Sequence, residues 1–405
     1  MAGILQPAGQ QFLCSLVIKG NQYNSLNINY LVIREWIFNI IPTVEIQFLD
    51  EGYLTEATPL EDNEDIIVIL AKHEGDENPL QMTFSLDDYE VGVIGDNRKT
   101  IITMTGHLKV EDFFTTKNRS LSRRDSASVL EQIAQEANIT FTNPQNVKPT
   151  DNMVWYQSNI SNFAFVKHVL KRAYIPEDLP LFYANSNNKF VYTSLFAELN
   201  KQKLRKAKFN VEQFEMNVKD DNDKDETIWF NAYDIVNYSG FYNKIFGYGV
   251  SVNYYDLDQE KTVNYSDITK VTDLSYRDKN LKGKPVFNRN AGDFINSNVY
   301  SEEYFETYAK NKFILHNFFA MGMIININAL ETVNLMDTIH IEIPSQMKEN
   351  NINEVMTGKY IVAGIQHEVS NGGYYKKKVS IHRNGMNKSV ALGDKHLYQV
   401  EELKS

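Results

Sequence analysis

The residues most often recruited for chemistry are sparse in this chain, and their spacing fits few reactions. Eight histidines are dispersed over 405 residues and no HExxH pair occurs, so the helical zinc pair of a metalloprotease is missing. His340 and His367 fall in strand-like stretches, where a solvent-facing or hydrogen-bonded imidazole is expected rather than a metal ligand. Asp221, Asp223 and Asp225 have the spacing of the first three ligands of a calcium loop. The glycine such a loop needs is replaced by Glu226, and the twelfth position is Ala232 instead of Glu, which predicts a solvated acidic loop. Neither phosphate-loop pattern is present, and Gly247-Tyr-Gly249 lacks the third glycine. No GxSxG nucleophile elbow occurs. Carboxylates are plentiful, but abundance does not place two of them across a glycosidic bond. The single cysteine, Cys14, excludes an internal disulfide and any CxxC motif. It alternates with Phe12, Leu16 and Ile18, as a small core residue would. The expectation is therefore a chain that is not an enzyme, with no catalytic, cofactor-binding or metal residues and no cofactor.

Two basic clusters remain. Lys201, Lys203, Arg205, Lys206 and Lys208 form one, and Lys376-Lys377-Lys378 follows a turn. A wet face, or lysines guarding a sheet edge, is the first reading; a salt-sensitive contact with an acidic partner protein is the sharper alternative.

Composition narrows the class. The chain is 42% hydrophobic and 23% charged, enough apolar material for sizeable cores and, by length, two or three domains. A net charge of −11 opposes tight binding to phosphates, so nucleic acid is an improbable resident ligand. Aromatic content of 12% suits β-rich cores and broad protein contacts. The first residues lack a basic segment followed by an apolar one, so no signal peptide is expected there. Apolar runs such as Phe318 to Ile325 fall well short of the roughly 18 residues a membrane helix needs. Synthesis and assembly in a cytoplasm are expected.

The elements that would position these residues are mostly strands. Val44, Ile46 and Phe48 alternate with Glu45 and Gln47; residues 65–71 are continuously apolar; Met82, Phe84 and Leu86 alternate again before Val91 and Val93. With residues 99–108 they predict a compact antiparallel barrel or sandwich. The period then changes. Ser128 and Glu131 match a capping box, followed by Leu130, Ile133, Ala134 and Ala137 at helical spacing, with Asn138 as the stop. Residues 151–157 are expected to be an extended link. A second helix is expected from Ser161 as N-cap through Phe163, Val166 and Leu170, ended by Pro176. A strand at 190–193 and a short helix at 195–200 complete an α+β module. Strand character returns from Asn231 to Tyr255, residues 257–300 are polar, and Ser301 is expected to cap a helix holding Tyr304, Phe305 and Tyr308. The last third is β again, with alternation at 323–329 and 339–343 and a hairpin over 360–383 turning at Ser370-Asn-Gly-Gly373.

Three runs in this order resemble a known family. Residues 128–138, then Trp155-Tyr-Gln157, then residues 161–170 are similar to the central baseplate hub proteins of contractile-tailed, T-even-like phages and the related hubs of type VI secretion and tailocin spike proteins. The C-terminal residues 334–339, 358–362, His367, Tyr374-Tyr375 and 381–384 resemble the last barrel of that family. The likeness spans residues 10–385 and is poor over 257–312.

The resemblance implies an α+β, β-dominated fold with two tube-like antiparallel β-barrels and an α+β module, assembled as a pseudo-hexameric ring. The expected division is residues 1–112 for the first barrel and 113–233 with 257–312 for the α+β module. Residues 234–256 with 313–385 form the second barrel, and 386–405 a C-terminal tail. It implies a structural virion protein of the tail baseplate, a homotrimer that adapts a sixfold tail tube to a threefold central spike. The implied partners are the spike, tail tube or tube-initiator proteins, baseplate wedge proteins and the tape-measure protein, with DNA only in transit. The alternatives are a receptor- or glycan-binding tail protein, a cell-wall hydrolase, or the equivalent hub of a tailocin or contractile injection system. Residues 65–71 and 323–330 are expected as long apolar edge strands that demand pairing between chains.

Overall fold

The structure is a computed structural model. It describes residues 10–50, 54, 56, 59–94, 99–176, 178–200, 204–210, 227–237, 250–256, 260–267, 290–295, 311, 314, 315, 318, 319, 321–329, 331–345 and 352–383.

Alternating burial builds the first half. β1 (Gln10–Gln11) and β2 (Leu13–Ile18) run on into β3 (Asn21–Asn24), β4 (Ile28–Trp36), β5 (Thr43–Asp50), β6 (Asp65–Ala71), β7 (Leu80–Ile94) and β8 (Lys99–Leu108). In β5 and β6 every second side chain is buried, as the period of a strand with one core face requires. The residues in between are of intermediate exposure, so the continuous apolar run of β6 has one fully buried face only.

The α+β module follows. β9 (Thr116–Arg124) leads to α1 (Ser126–Glu136), β10 (Thr140–Thr142), β11 (Met153–Ser161), α2 (Asn162–Arg172), β12 (Pro180–Ala184), β13 (Lys189–Ser194) and α3 (Leu195–Leu199). The N-cap of α1 is Asp125, whose carboxylate accepts from the Ser128 amide at 2.8 Å; the expected Ser128 cap lies inside the helix. A carboxylate one turn earlier satisfies the free amides at the positive helix end. Asn138 does end the helix. Its φ is +54°, and the amides of Asn138 and Ile139 donate to Gln135 and Ala134, the Schellman arrangement that a left-handed residue permits. Ser161 caps α2 through the Ala164 amide at 3.2 Å. That helix ends at Arg172, ahead of Pro176. Of residues 151–157, expected as an extended link, those from 153 belong to β11, which pairs along its length with β9.

The remaining strands are β14 (Arg205–Phe209), β15 (Ile228–Asn237), β16 (Val250–Asp256), β17 (Lys261–Asp267), β18 (Asn290–Ile295), β19 (Met321–Ile327), β20 (Thr338–Glu342), β21 (Gly358–Ser370) and β22 (Tyr374–Arg383). Six of them close a barrel in the order β22-β19-β15-β14-β20-β21, with β21 pairing back to β22. It is mixed rather than antiparallel, because β14 runs parallel to both β15 and β20. The strand pairing redraws the expected divisions here. β14 and all of β15 belong to this barrel, whereas residues 250–256 form a separate sheet with β17 and β18.

The hairpin of β21 and β22 is long enough to serve twice. Its base closes the six-stranded barrel; nearer its tip, β21 pairs with β4 over residues 364–370 and β22 pairs with β1. The pairings β4-β5-β8-β7-β6-β2 thereby return through β1 to the same hairpin. Gly372 and Gly373 turn it with φ near +80°, and a Cβ on Gly373 would sit 2.4 Å from the Phe12 carbonyl oxygen. Closure corrects the expected edges: β6 lies between β2 and β7, and β19 between β22 and β15. Two buried cores result, one inside the first circuit and under the helices, the other inside the six-stranded barrel.

Candidate functional site

Eight strands in the order β7-β8-β5-β4-β21-β22-β19-β15 form one antiparallel wall across both circuits. Directly opposed residues in such a sheet share a face. One face therefore carries Ile102, Met104, Ile46, Phe48, Leu31, Ile33, Val379, Ile381, Met323 and Ile325, each buried in one of the two cores. The opposite face is polar. Tyr30 and Arg34 donate to Glu45 at 3.1 and 3.0 Å, Gln47 donates to Thr103 at 3.1 Å, and Lys378 pairs with Glu368 at 2.7 Å. Both signs of charge are mixed along it, and the contacts are between neighbouring strands, the pairs that stabilise a sheet.

At the junction the polar face holds a cleft of about 820 Å³ lined by Arg34, Trp36, Gln366, Ser380, His382 and residues around Phe319. Two glycines make room in its floor. A Cβ on Gly364 would stand 2.1 Å from Trp36, and one on Gly322 would stand 2.6 Å from His382. The Trp36 and His382 rings meet edge to face at 5.6 Å. Burial drives the His382 pKa down to about 4, against hydrogen bonds to the Phe319 and Met321 backbone that raise it, so the ring is neutral at neutral pH.

Behind the cleft, on the buried face, the two cores are separated by a polar seam. Glu35, His367 and Tyr375 are all at most 5% exposed. His367 Nε2 lies 3.0 Å from Glu35 Oε1 and His367 Nδ1 lies 2.5 Å from the Tyr375 hydroxyl. The other Glu35 oxygen accepts from the Ser186 amide at 2.8 Å, in the turn between β12 and β13. Nearby, Lys377 donates to the Glu331 carbonyl at 2.7 Å, and burial pulls its pKa down to about 8 although Glu35 and Glu331 act to raise it. A carboxylate, an imidazole and a hydroxyl in a row have the form of a catalytic relay. Here the hydroxyl is buried, and burial raises the phenol above its ordinary range, so no substrate reaches it and no nucleophile forms. What the row does is satisfy polar groups at the place where one barrel hands over to the next and where the α+β module touches both.

The residues weighed from sequence are scattered by the fold. His367 is hydrogen-bonded in a strand, as expected. His340 is in β20, away from the seam. Asp221, Asp223, Asp225, Lys201, Lys203 and the expected helix at Tyr304 lie outside the described residues. Arg205 and Lys208 pair with Glu331 and Glu342 at 3.1 and 3.4 Å. The triple lysine is on β22, which is paired on both sides, so it guards no edge; Lys376 and Lys378 project to the polar face, and Lys377 to the seam. Cys14 is buried in the first core. Glu35 was the residue missed. Its signal was present: it continues the buried register of Leu31 and Ile33, where a carboxylate must have partners. Among the described residues, no group of three or more His, Cys, Asp or Glu is placed to hold a metal ion. No helix among them is long and apolar enough to cross a membrane.

With the geometry in place, comparison with solved structures is informative. The tail protein of Neisseria meningitidis MC58 superposes with a TM-score of 0.56 at 9% identity, over 93% of this chain and 98% of that one. The 43 kDa tail protein of prophage MuSo2 from Shewanella oneidensis gives 0.55 at 11%, over 92% and 98%. The chain has the phage tail protein fold. This tail-protein fold is shared over nearly the full length of each protein, not through one barrel alone. An E. coli component of the type VI secretion system, itself described as similar to T4 bacteriophage tail proteins, is more distant at a TM-score of 0.48. No protein-family profile and no curated protein matches the sequence.

Proposed function

We propose that the chain is the central hub of a contractile-tail baseplate, a structural virion protein that joins a sixfold tube to a threefold spike. The observation that carries this reading is the whole-length likeness to two solved tail proteins. Two β circuits per chain, fused through one hairpin, supply two tube-like units. Three chains then offer six units while keeping threefold symmetry. The first unit runs to residue 112, and the discontinuous second is drawn to include β14 and β15. The polar face of the wall is assigned to the channel. Mixed charges there, on a chain of net charge −11, would let DNA or a tape-measure protein pass without being held. A tailocin or contractile injection system would use the same hub.

The test is co-expression with a trimeric spike protein from the same tail. Light scattering should give a stable complex holding three copies of the 46.7 kDa chain. A chain that stays monomeric with the spike present, or forms a stable dimer, overturns the reading. Tight binding of duplex DNA by the assembled ring at physiological salt would overturn the channel assignment.

A further inference from the structure

Four aromatic rings close a circuit at the junction cleft. Trp36 meets Phe38 at 5.8 Å and 62°, and Phe38 meets Phe319 at 4.8 Å and 90°. Phe319 meets His382 at 5.6 Å and 58°, and His382 returns to Trp36 at 5.6 Å and 79°. Each pair is steeply inclined rather than stacked, and all four rings line the cleft. Phe319 is buried in the second core, whereas Trp36, Phe38 and His382 are half-buried and keep surface toward the cleft. Strand register holds two of them there. Gly364 is paired with Trp36 and Gly322 with His382, and each ring takes the space that a side chain on its glycine would need. The charges around the rings are unequal. Arg34 and Lys378 line the cleft, but each is matched by a carboxylate, Glu45 at 3.0 Å and Glu368 at 2.7 Å. Asp234, also in the lining, is exposed and has no hydrogen bond or ion pair among the described residues. His382 is uncharged at neutral pH, so it adds no positive charge to the box.

Aromatic faces carry negative partial charge and attract a cation, and an unmatched carboxylate at the rim supplies the point charge opposite it. We infer that the box receives an arginine or lysine side chain of a partner polypeptide, its charge held between the ring faces and Asp234. Charge complementarity favours that occupant. A phosphate backbone would bring like charge to Asp234, on a chain of net charge −11. A neutral apolar side chain would desolvate the carboxylate without pairing it. The cleft, about 820 Å³, has the size of pockets that enclose small ligands, so it admits a long side chain together with its flanking backbone. It opens on the polar face of the wall. Under the hub reading, on which its place in the channel rests, the partner is a basic segment of a polypeptide lodged in the channel and held at one point per chain.

Fluorine NMR on the full chain labelled with 5-fluorotryptophan tests this. The chain has three tryptophans. Trp36→Phe identifies the cleft signal, and Trp155, fully buried with its indole donating to the Arg124 carbonyl, is the internal control. The probes are blocked pentapeptides of glycine and serine with a central arginine, lysine or norleucine. The arginine and lysine peptides should shift the Trp36 signal saturably and leave Trp155 unmoved, with norleucine about tenfold weaker or more. Asp234→Asn and Phe38→Leu should each weaken the arginine peptide about three- to tenfold. Norleucine binding as tightly as arginine would make the cleft an apolar slot and overturn the inference. Unchanged arginine affinity in both variants would overturn it too, as would binding of phosphocholine, a lipid headgroup, in place of the peptides. No shift of Trp36 with any peptide, in a chain that does assemble with the spike, overturns the inference and leaves the hub reading intact. Saturable binding by a chain that never assembles upholds the cation site and overturns the hub reading.

Discussion

Removing the Glu35 carboxylate should loosen the join between the two circuits. In Glu35→Ala, the half-buried Ser186 amide and the buried His367 Nε2 both lose an acceptor held at 2.8 and 3.0 Å, where Glu35 and His367 are themselves at most 5% exposed. A buried polar group left unpaired costs about 1–3 kcal/mol, and a bond to a charged partner contributes about 1.5–3 kcal/mol. The single variant should therefore lose about 3–5 kcal/mol. Part of that belongs to Ser186 and part to His367, and a cycle separates them. Glu35→Ala, His367→Ala and the double variant share the orphaned Ser186 amide wherever Glu35 is absent, so that cost cancels. The coupling left between Glu35 and His367 should be about 1.5–3 kcal/mol. A chain of several units need not unfold in one step, so the measurement is native-state hydrogen exchange over residues 30–36 and 184–189. A local loss of about 3 kcal/mol speeds exchange roughly 150-fold. Coupling under about 0.5 kcal/mol, the range of independent sites, would mean that the two side chains are neighbours without being partners, and the seam would have no stabilising role.

Other outcomes follow from the cleft and the first core. Gly364→Ala places a methyl 2.1 Å from Trp36, so the indole must leave its place between Phe38 and His382; overpacking of this kind costs about 1–3 kcal/mol, read as a lower Tm and red-shifted tryptophan emission. His382 has a folded pKa near 4 against an ordinary 6.5, so the unfolded chain binds the extra proton between those values. Its contribution is complete above pH 6.5 and is lost as pH falls toward 4, by at most about 3 kcal/mol; in His382→Gln that part of the acid slope should vanish from urea titrations. Burial pushes the Cys14 thiol up to about 12, so a thiol reagent should react at neutral pH only on unfolding, and rapid labelling of the native chain would contradict its place in the core.

Local order was legible in the residues themselves. Period-two alternation marks β5 and β20 because one face of each is buried and the other is not. Ser161 and Asn138 mark helix ends because a side-chain oxygen can cap free amides and asparagine tolerates positive φ. The order of helix, Trp155-Tyr-Gln157 and helix was enough to suggest the tail-protein likeness that the solved structures share. Edges were not legible. An apolar strand such as β6 or β19 reads the same whether its neighbours belong to its own chain or another, because strand order is set by pairings remote in sequence. Among the described residues, the edges with one neighbour are the far halves of β7 and β15, past a bulge and past the end of a short partner strand. The polar seam is non-local for the same reason. Glu35 and His367 are 332 residues apart, and only the hairpin that closes both circuits brings the carboxylate, the imidazole and Tyr375 into one buried site.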